Sequence, residues 1–428
     1  MNQPRLVIVD GIRTPFCKMG TQLAHMGAEE LGRIAVNSLL SRTAIDPSIV
    51  DEVIMGCVGQ PAEAANVARV IALRAGIPKH IPAFTVHRNC ASGFEAVTQA
   101  FEKMCAGRGS VFIVGGTESM SRAPFLFKYE TVEKLSALAR AKSSIEKLKT
   151  FTRFRPSDFE PRIGLKLGLT DPVCGLNMGE TAELLAREFS ISREKQDAFA
   201  MESHARALAA TDKLAWEICP VFLKDTKKLV ITQDNGPRQD QTPEVLAKLK
   251  PVFDRNHGTV TAGNSSQITD GAVALLVMTE TKATELGYSP LGAISGYAYA
   301  GCDPSRMGLG PVFAISKAEE ITGLSPEQAD LIEINEAFAA QVLAVLSALR
   351  SDEFAKTHLG KRHYVAKIPK DRLNVNGGSI ALGHPVGATG ARLILSSLKE
   401  LSRRNAKRAL VSLCVGGGQG AAIWLERI

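Results

Sequence analysis

Four side chains in this sequence have the types and settings needed for nucleophilic and proton-transfer chemistry. Cys90 lies in HRNCASGFEA, directly before an amphipathic run that predicts a helix over 92–106. The free N–H groups and dipole at a helix amino end lower a thiol pKa, and the small neighbours Ala91, Ser92 and Gly93 leave room for a carbonyl to reach the sulfur. His384 is the one imidazole of NVNGGSIALGHPVGATG, a run with five Gly between 377 and 390. Such a backbone serves tight turns and close approach. It lacks the GK[ST] of a phosphate-binding P-loop, so a loop that presents His384 as a general base stands beside a phosphate cradle as the alternative. Cys414 closes the strand-like run LVSLCV before three Gly, whose amides, Gly416 first, could face an oxyanion. Asn335 in INEAFAA ends another strand and offers a neutral amide to a water or a carbonyl oxygen. Each residue also has a purely structural reading as a buried Cys, a capped His or a turn Asn. As a set, one thiol to attack, one imidazole to activate it and a second thiol for a separate proton transfer fit acyl transfer coupled to carbon–carbon bond chemistry. An ordinary Cys hydrolase does not need the second thiol.

The elements that must position these groups repeat along the chain. Strand-like runs alternate with helical ones, which predicts an α/β architecture. A helical stretch over 28–40 leads through Pro47 and Asp51 into a strand at 53–55, and a second over 312–321 leads through Pro326 and Asp330 into a strand at 331–334. Downstream, loop, helix 92–106, strand 111–114 and Gly115-Gly116 match loop, helix 388–403, strand 409–414 and Gly416-Gly417. The polar insert 351–370 absorbs the difference in spacing. Two copies of one α/β unit are therefore expected: residues 1–120 with 271–290 as the first half and 291–428 as the second. Residues 121–270 have no counterpart and read as an excursion over one face. Its early part carries apolar Val132, Leu135, Leu138, Ile145, Leu148 and Phe151 among Lys134, Arg140, Lys142, Lys147, Lys149 and Arg153, a basic amphipathic helix or helical hairpin. It reads either as a helix docked on its own core or as a face for a partner protein or an anionic membrane surface.

Composition excludes several classes. With 428 residues, 45% hydrophobic, 22% charged and 6% aromatic, the chain can bury a large core and fits neither a disordered nor a fibrous protein. The net charge of +7 has no basic tail, so nucleic acid is a weak expectation and a phosphate-bearing small molecule is equally compatible. Eight Cys lack CxxC spacing, which argues against a zinc site and for a reduced cytoplasmic protein. The first residues read as a strand rather than a signal peptide, and no apolar run approaches the 18 or so residues of a membrane span. Any membrane contact is expected to be peripheral.

The sequence resembles the thiolase family over essentially its whole length. The residues that carry the resemblance are GIRTPF at 11–16, NCASG at 89–93, GGTESMS at 115–121, NMGETAE at 177–183, TAGNSSQITDGA at 261–272, NEAFA at 335–339, NVNGGSIALGHPVGATGAR at 374–392 and CVGGGQGAA at 414–422. The resemblance implies a duplicated five-layer αβαβα fold with a loop domain leaving the first half. It implies that Cys90 is the nucleophile that takes the acyl group, His384 its base, and Cys414 the acid/base for the acetyl-CoA carbanion. Asn335 would hold a water that forms one oxyanion hole with His384, and the amides of Cys90 and Gly416 would form the other. Met178 and Ser266 match positions lining the pantetheine channel, coenzyme A being a substrate, with no metal and no other cofactor. Asn177 and Gln267 stand where the short-chain biosynthetic members carry His and Gly, which points away from acetoacetyl-CoA. The long insert before Cys174 resembles the β subunits of the fatty-acid oxidation complex. That likeness implies degradative cleavage of 3-oxoacyl-CoA, with biosynthetic acetyl transfer as the alternative and a non-catalytic scaffold behind it. It also implies a homodimer within a heterotetramer with a hydratase/dehydrogenase α subunit.

Overall fold

A computed structural model of the chain describes residues 5–223 and 230–428. The first four residues of the expected first half, and 224–229 of the excursion, lie outside the described residues.

The strands lie in the order Leu331–Ile334, Arg408–Val415, Gln419–Glu426, Gly292–Gly301, Leu6–Arg13, Thr269–Thr279, Val111–Glu118, Glu52–Gly56 and Ala83–Val86. The order holds two equivalent four-strand sets running outward from the middle in opposite directions, with Ala83–Val86 added at one edge. In each set a first strand pairs antiparallel with the last, the last pairs antiparallel with a third, and the third pairs parallel with a second. The sets meet only where Val7 and Ile8 pair with Ala293 and Gly292.

Strand alternation produces the layers, because successive side chains point to opposite faces. Val53, Met55, Val111, Ile113, Ala274 and Leu276 pack outward against Ala28–Thr43 and Val67–Arg74, while Ile54, Phe112, Val114, Val273 and Leu275 point inward. In the second set Leu410, Ala422 and Trp424 pack outward against Gly310–Thr322 and Ala339–Leu349, and Ala409, Val411, Leu413 and Ile423 point inward. Between the inward faces lie two helices, Ser92–Cys105 and Val386–Arg404. The result is helix, sheet, helix, sheet, helix, the duplicated five-layer arrangement expected. The excursion crosses to the second set, where Leu185 and Ile191 join the core built on Val312 and Ile315. Arg13 of GIRTPF anchors its far end, reaching both carboxylate oxygens of Asp234 at 2.6 and 2.8 Å and Glu217 at 3.5 Å, all buried.

The two aspartates matched in the sequence do the same work. Asp51 accepts hydrogen bonds from the amides of Ser110 and Val111, and Asp330 from those of Lys407 and Arg408, each fixing the start of the neighbouring strand. The match of Gly115-Gly116 with Gly416-Gly417 does not hold. Strand Val111–Glu118 runs through Gly115 and Gly116, which pair with Ala274 and Val273, whereas residues 416–418 form the turn between Arg408–Val415 and Gln419–Glu426. The first pair exists for a different reason: a Cβ on Gly116 would stand 1.9 Å from the carbonyl oxygen of Gly387 in the inner helix. The basic amphipathic stretch, read as a helix or helical hairpin, is a hairpin, Tyr129–Arg140 and Ser144–Phe151, and its second helix is not docked by its apolar side. Ile145, Leu148 and Phe151 are 70, 65 and 60% exposed, with Phe125, Tyr129 and Phe159 also exposed.

Gly116→Ala should therefore cost about 3 kcal/mol, the upper range for forcing atoms into a packed core. Gly168→Ala, where a Cβ meets nothing within 4 Å, should stay within about 0.5 kcal/mol of wild type. Chemical denaturation of the two variants checks the contrast; equal stabilities would show that the sheet can move away from the helix.

Candidate active site

The inner helices place the first two residues. They touch through glycine: a Cβ on Gly93 would lie 2.7 Å from the amide nitrogen of Ala391, and one on Gly390 would lie 2.5 Å from that of Phe94. Ser92–Cys105 buries Phe94, Val97 and Met104 on its inward stripe, and Val386–Arg404 is buried from Val386 to Leu401. Cys90 and His384 stand two residues ahead of the two helices, at equivalent places in the two copies.

The Cys90 loop is clamped on both sides. Asn89 adopts a left-handed φ of 42°, and its Nδ2 donates to the Gly416 carbonyl at 2.7 Å. The Ser92 hydroxyl accepts from the Arg88 amide and donates to the Asn89 carbonyl. The sulfur receives the amides of Gly416 and of Cys90 itself, which favour the thiolate, yet burial outweighs them and leaves the thiol above its ordinary value. The helix end expected from the sequence favours the thiolate, and desolvation of the sulfur opposes it.

His384 is held at its backbone by the Gln267 carbonyl and the Thr269 hydroxyl, which accept from its amide. Thr389 fixes the ring. Its hydroxyl donates to the Pro385 carbonyl at 2.9 Å and so meets His384 Nδ1, 2.7 Å away, as an acceptor. Nδ1 therefore carries the ring proton, and Nε2, buried with no protein partner, presents a lone pair. Burial, with Arg392 adding to it, lowers this imidazole to about 4. Glu118 joins the loops beneath, accepting from the amides of Val58, Gly59 and Gly387 while burial pushes its carboxyl up.

Cys414 lies one residue inside the end of its strand, buried against Met178, Met307, Ala337 and Phe338. Burial first, then the neighbouring Cys90 thiol, raises it well above a normal thiol. Asn335 follows Leu331–Ile334; its Oδ1 accepts from the Ser379 hydroxyl at 2.6 Å, and its Nδ2 is buried without a partner. The Ser266 amide donates to the Ala337 carbonyl, and the next residue, Gln267, supports His384, so one loop ties the Asn335 and His384 segments together. Met178 starts helix Met178–Glu188, its Sδ 3.4 Å from where a Gly416 Cβ would be. The structure thus gathers Cys90, Cys414, Gly416 and Met178 at one place, Gly416 bonding the Cys90 sulfur and Met178 packing on Cys414 beside Gly416, with His384, Asn335 and Ser266 joined to them through shared loops. Asn177 and Gln267 are engaged internally. Asn177 caps its helix, accepting from Gly179 and Glu180, and Gln267 donates to the Gly236 carbonyl.

Asn89, Thr389 and Glu118 were not singled out in the sequence, although each sits inside a quoted motif. Thr389 had a usable signal, a hydroxyl five residues beyond a His at the start of a helix. Glu118 had another, a lone carboxylate in an otherwise apolar and Gly strand.

A buried thiol facing two amides, a neutral imidazole and a second, more basic thiol define an acyl-transfer centre able to manage a carbon acid. Residues 6–281 match the profile described as Thiolase, N-terminal domain, and residues 288–427 that described as Thiolase, C-terminal domain. The chain belongs to the thiolase family. It is 42% identical over 425 residues to a 3-ketoacyl-CoA thiolase of Pseudoalteromonas translucida, covering 99% of this chain and 97% of that one, and 40% identical over the same length to one of Serratia proteamaculans. Among solved structures it is similar to the Bacillus anthracis acetyl-CoA acetyltransferase, with TM-score 0.87, 38% identity and 100 and 99% of the two chains covered. The human mitochondrial 3-ketoacyl-CoA thiolase follows with TM-score 0.86, 37% identity and full coverage of both chains.

Because His384 titrates near 4 rather than the ordinary 6.5, the base stays competent as pH falls through 6.5. The acid limb of kcat/KM, which reports the free enzyme, should be centred well below 6. Thr389→Val should lower kcat on the order of 10²-fold, with Thr389→Ser recovering most of it. Full activity in the Val variant would show that the ring is held by something else.

Proposed function

We propose that this chain is a 3-ketoacyl-CoA thiolase of fatty-acid degradation, cleaving 3-oxoacyl-CoA with coenzyme A to acetyl-CoA and an acyl-CoA two carbons shorter. The observation that carries the reading is a pair of neighbouring thiols with opposite surroundings, Cys90 under two amides and Cys414 in an apolar pocket. In the first half-reaction His384 Nε2 takes the Cys90 proton, the sulfur bonds to the keto carbon, and the bond between C2 and C3 breaks. The acetyl-CoA carbanion takes the Cys414 proton, and Cys414 is restored by the proton on His384. In the second, His384 takes the thiol proton of coenzyme A, whose sulfur attacks the acyl-Cys90 thioester; Cys90 leaves and recovers that proton. Asn335 Nδ2 would hold a water that, with His384, stabilises one oxyanion, and the amides of Cys90 and Gly416 would stabilise the other, such donors being worth roughly 3–4 kcal/mol each. The high position of Cys414 keeps it protonated until a carbanion, a far stronger base, forms beside it. The route uses no metal and no redox cofactor, since the thioester supplies the activation.

Met178 and Ser266 would line the coenzyme A channel. Eight free Cys fit a reducing compartment such as the cytoplasm, and among the described residues no helix is long and apolar enough to cross a membrane. The exposed apolar face of the hairpin supports docking of a hydratase/dehydrogenase α subunit on a dimer of this chain, with peripheral membrane contact as the competing use.

Two experiments test this. Thiolysis across a 3-oxoacyl-CoA series should favour chains longer than acetoacetyl-CoA, and Cys90→Ser should lose more than about 10³-fold in kcat; a preference for acetoacetyl-CoA would select the biosynthetic alternative. Changing Ile145, Leu148 and Phe151 together to Glu should leave thiolysis intact and abolish assembly with the α subunit. Assembly that survives the triple change would assign the apolar face elsewhere.

A further inference from the structure

Asn335 can serve the site only if its amide is turned the right way. The two ends of a carboxamide have nearly the same shape and opposite chemistry, so packing alone does not choose between them. A buried chain of polar groups does. Arg392, in the inner helix, is 1% exposed and donates from Nη2 to the Ser379 hydroxyl oxygen at 3.2 Å. A guanidinium has only donors, so Ser379 is an acceptor there and must place its own proton elsewhere. The one other group it meets is Asn335, at 2.6 Å. Nδ2 of an amide cannot accept, so the atom facing Ser379 is Oδ1, and Nδ2 is turned away from it. That Nδ2 is completely buried and has no protein partner, as expected of a donor reserved for something the site binds. The Nη1 of Arg392 lies 3.6 Å from Glu333, which fixes the guanidinium on the other side.

We infer that Ser379 is a positioning residue for this reaction: with Arg392 behind it, its hydroxyl locks the Asn335 amide with Nδ2 turned away from Ser379 and free to hold the water of the oxyanion hole. The inference rests on the reading of Asn335 as a donor in the oxyanion hole. Ser379 itself touches no reacting atom. It lies in the four-residue helix Ser379–Leu382, with no exposed surface, and the sequence offered only a small residue in a Gly-rich run. With Ala at 379, the hydroxyl proton that selects Oδ1 over Nδ2 on that side is gone. The donor is then misdirected for part of the time, while substrate contacts elsewhere are unchanged.

The test is a double-mutant cycle on the full-length enzyme with Ser379→Ala, Asn335→Ala and the pair, reading kcat and KM for thiolysis. Ser379→Ala should lower kcat roughly tenfold, a fraction of what losing an oxyanion donor costs, with KM within about twofold. In the Asn335→Ala background the Ser379 change should have no further effect on kcat, because its only route of action is gone. If Asn335→Ala is impaired while Ser379→Ala keeps wild-type kcat, or if the two losses simply multiply, the positioning role is wrong although the reading of Asn335 stands. If Asn335→Ala itself turns over normally, the reading of Asn335 has failed first. Should Ser379→Ala not fold, Ser379→Cys decides: its weaker donor should give a partial loss of kcat at unchanged KM, and wild-type kcat there overturns the inference.

Discussion

Two helices buried between two sheets meet at Gly93 and Gly390 with no side chain between their backbones, and the placement of the catalytic groups follows from that contact. It brings two helix amino ends, one from each copy of the repeat, to the same edge of the molecule. Cys90 precedes one and His384 the other. A duplicated unit would otherwise carry two distant, incomplete sites. The equivalence of the copies is physical as well as topological, since Asp51 and Asp330 tie down corresponding strands in the same way. At this edge the two copies differ, with a thiol ahead of the helix in the first and an imidazole in the second.

Burial governs the electrostatics of this edge. It raises both thiols and lowers the imidazole, so the resting site holds neutral groups rather than a thiolate and an imidazolium. Charge separation is postponed until a substrate carbonyl is present to receive the electrons. The donors proposed to meet the new charge are fixed beforehand: the amides of Cys90 and Gly416 lie at the sulfur, and the Nδ2 of Asn335 is buried without a protein partner. Fixed donors in a dry site are worth most when charge appears, and the same dryness makes an unpaired charge expensive beforehand. Thr389 and Ser379 serve this scheme by fixing which atom of a two-faced group is presented.

Much of this was legible in the sequence, for identifiable reasons. The inner helices could be read because each begins after a loop of small residues and carries an apolar stripe. Cys90, His384, Cys414 and Asn335 could be read because each stands at the end of an element in a run of Gly or Ala. For Cys90 the helix end is visible locally, whereas the Gly416 amide and the burial that act on its sulfur come from parts of the chain far away in sequence. Gly115-Gly116 were misaligned because glycine answers to two needs, a turn at 416–418 and a close helix contact at Gly116. Ser379 and Thr389 were not found because their meaning lies in a partner's hydrogen bonding, across 44 residues for Ser379 and Asn335. The hairpin's apolar residues were visible; that they face outward depends on what the excursion fails to pack against.

The central claim is that the thiol at the head of the first inner helix, and not its neighbour, takes the acyl group. The direct measurement is to mix the enzyme with an acyl-CoA, quench in acid and locate the added acyl mass by peptide mass spectrometry. The account predicts the acyl group on the peptide carrying Cys90 and on no other Cys peptide. An acyl group on Cys414, or stoichiometric turnover with no acyl-Cys90 at any time, would contradict it.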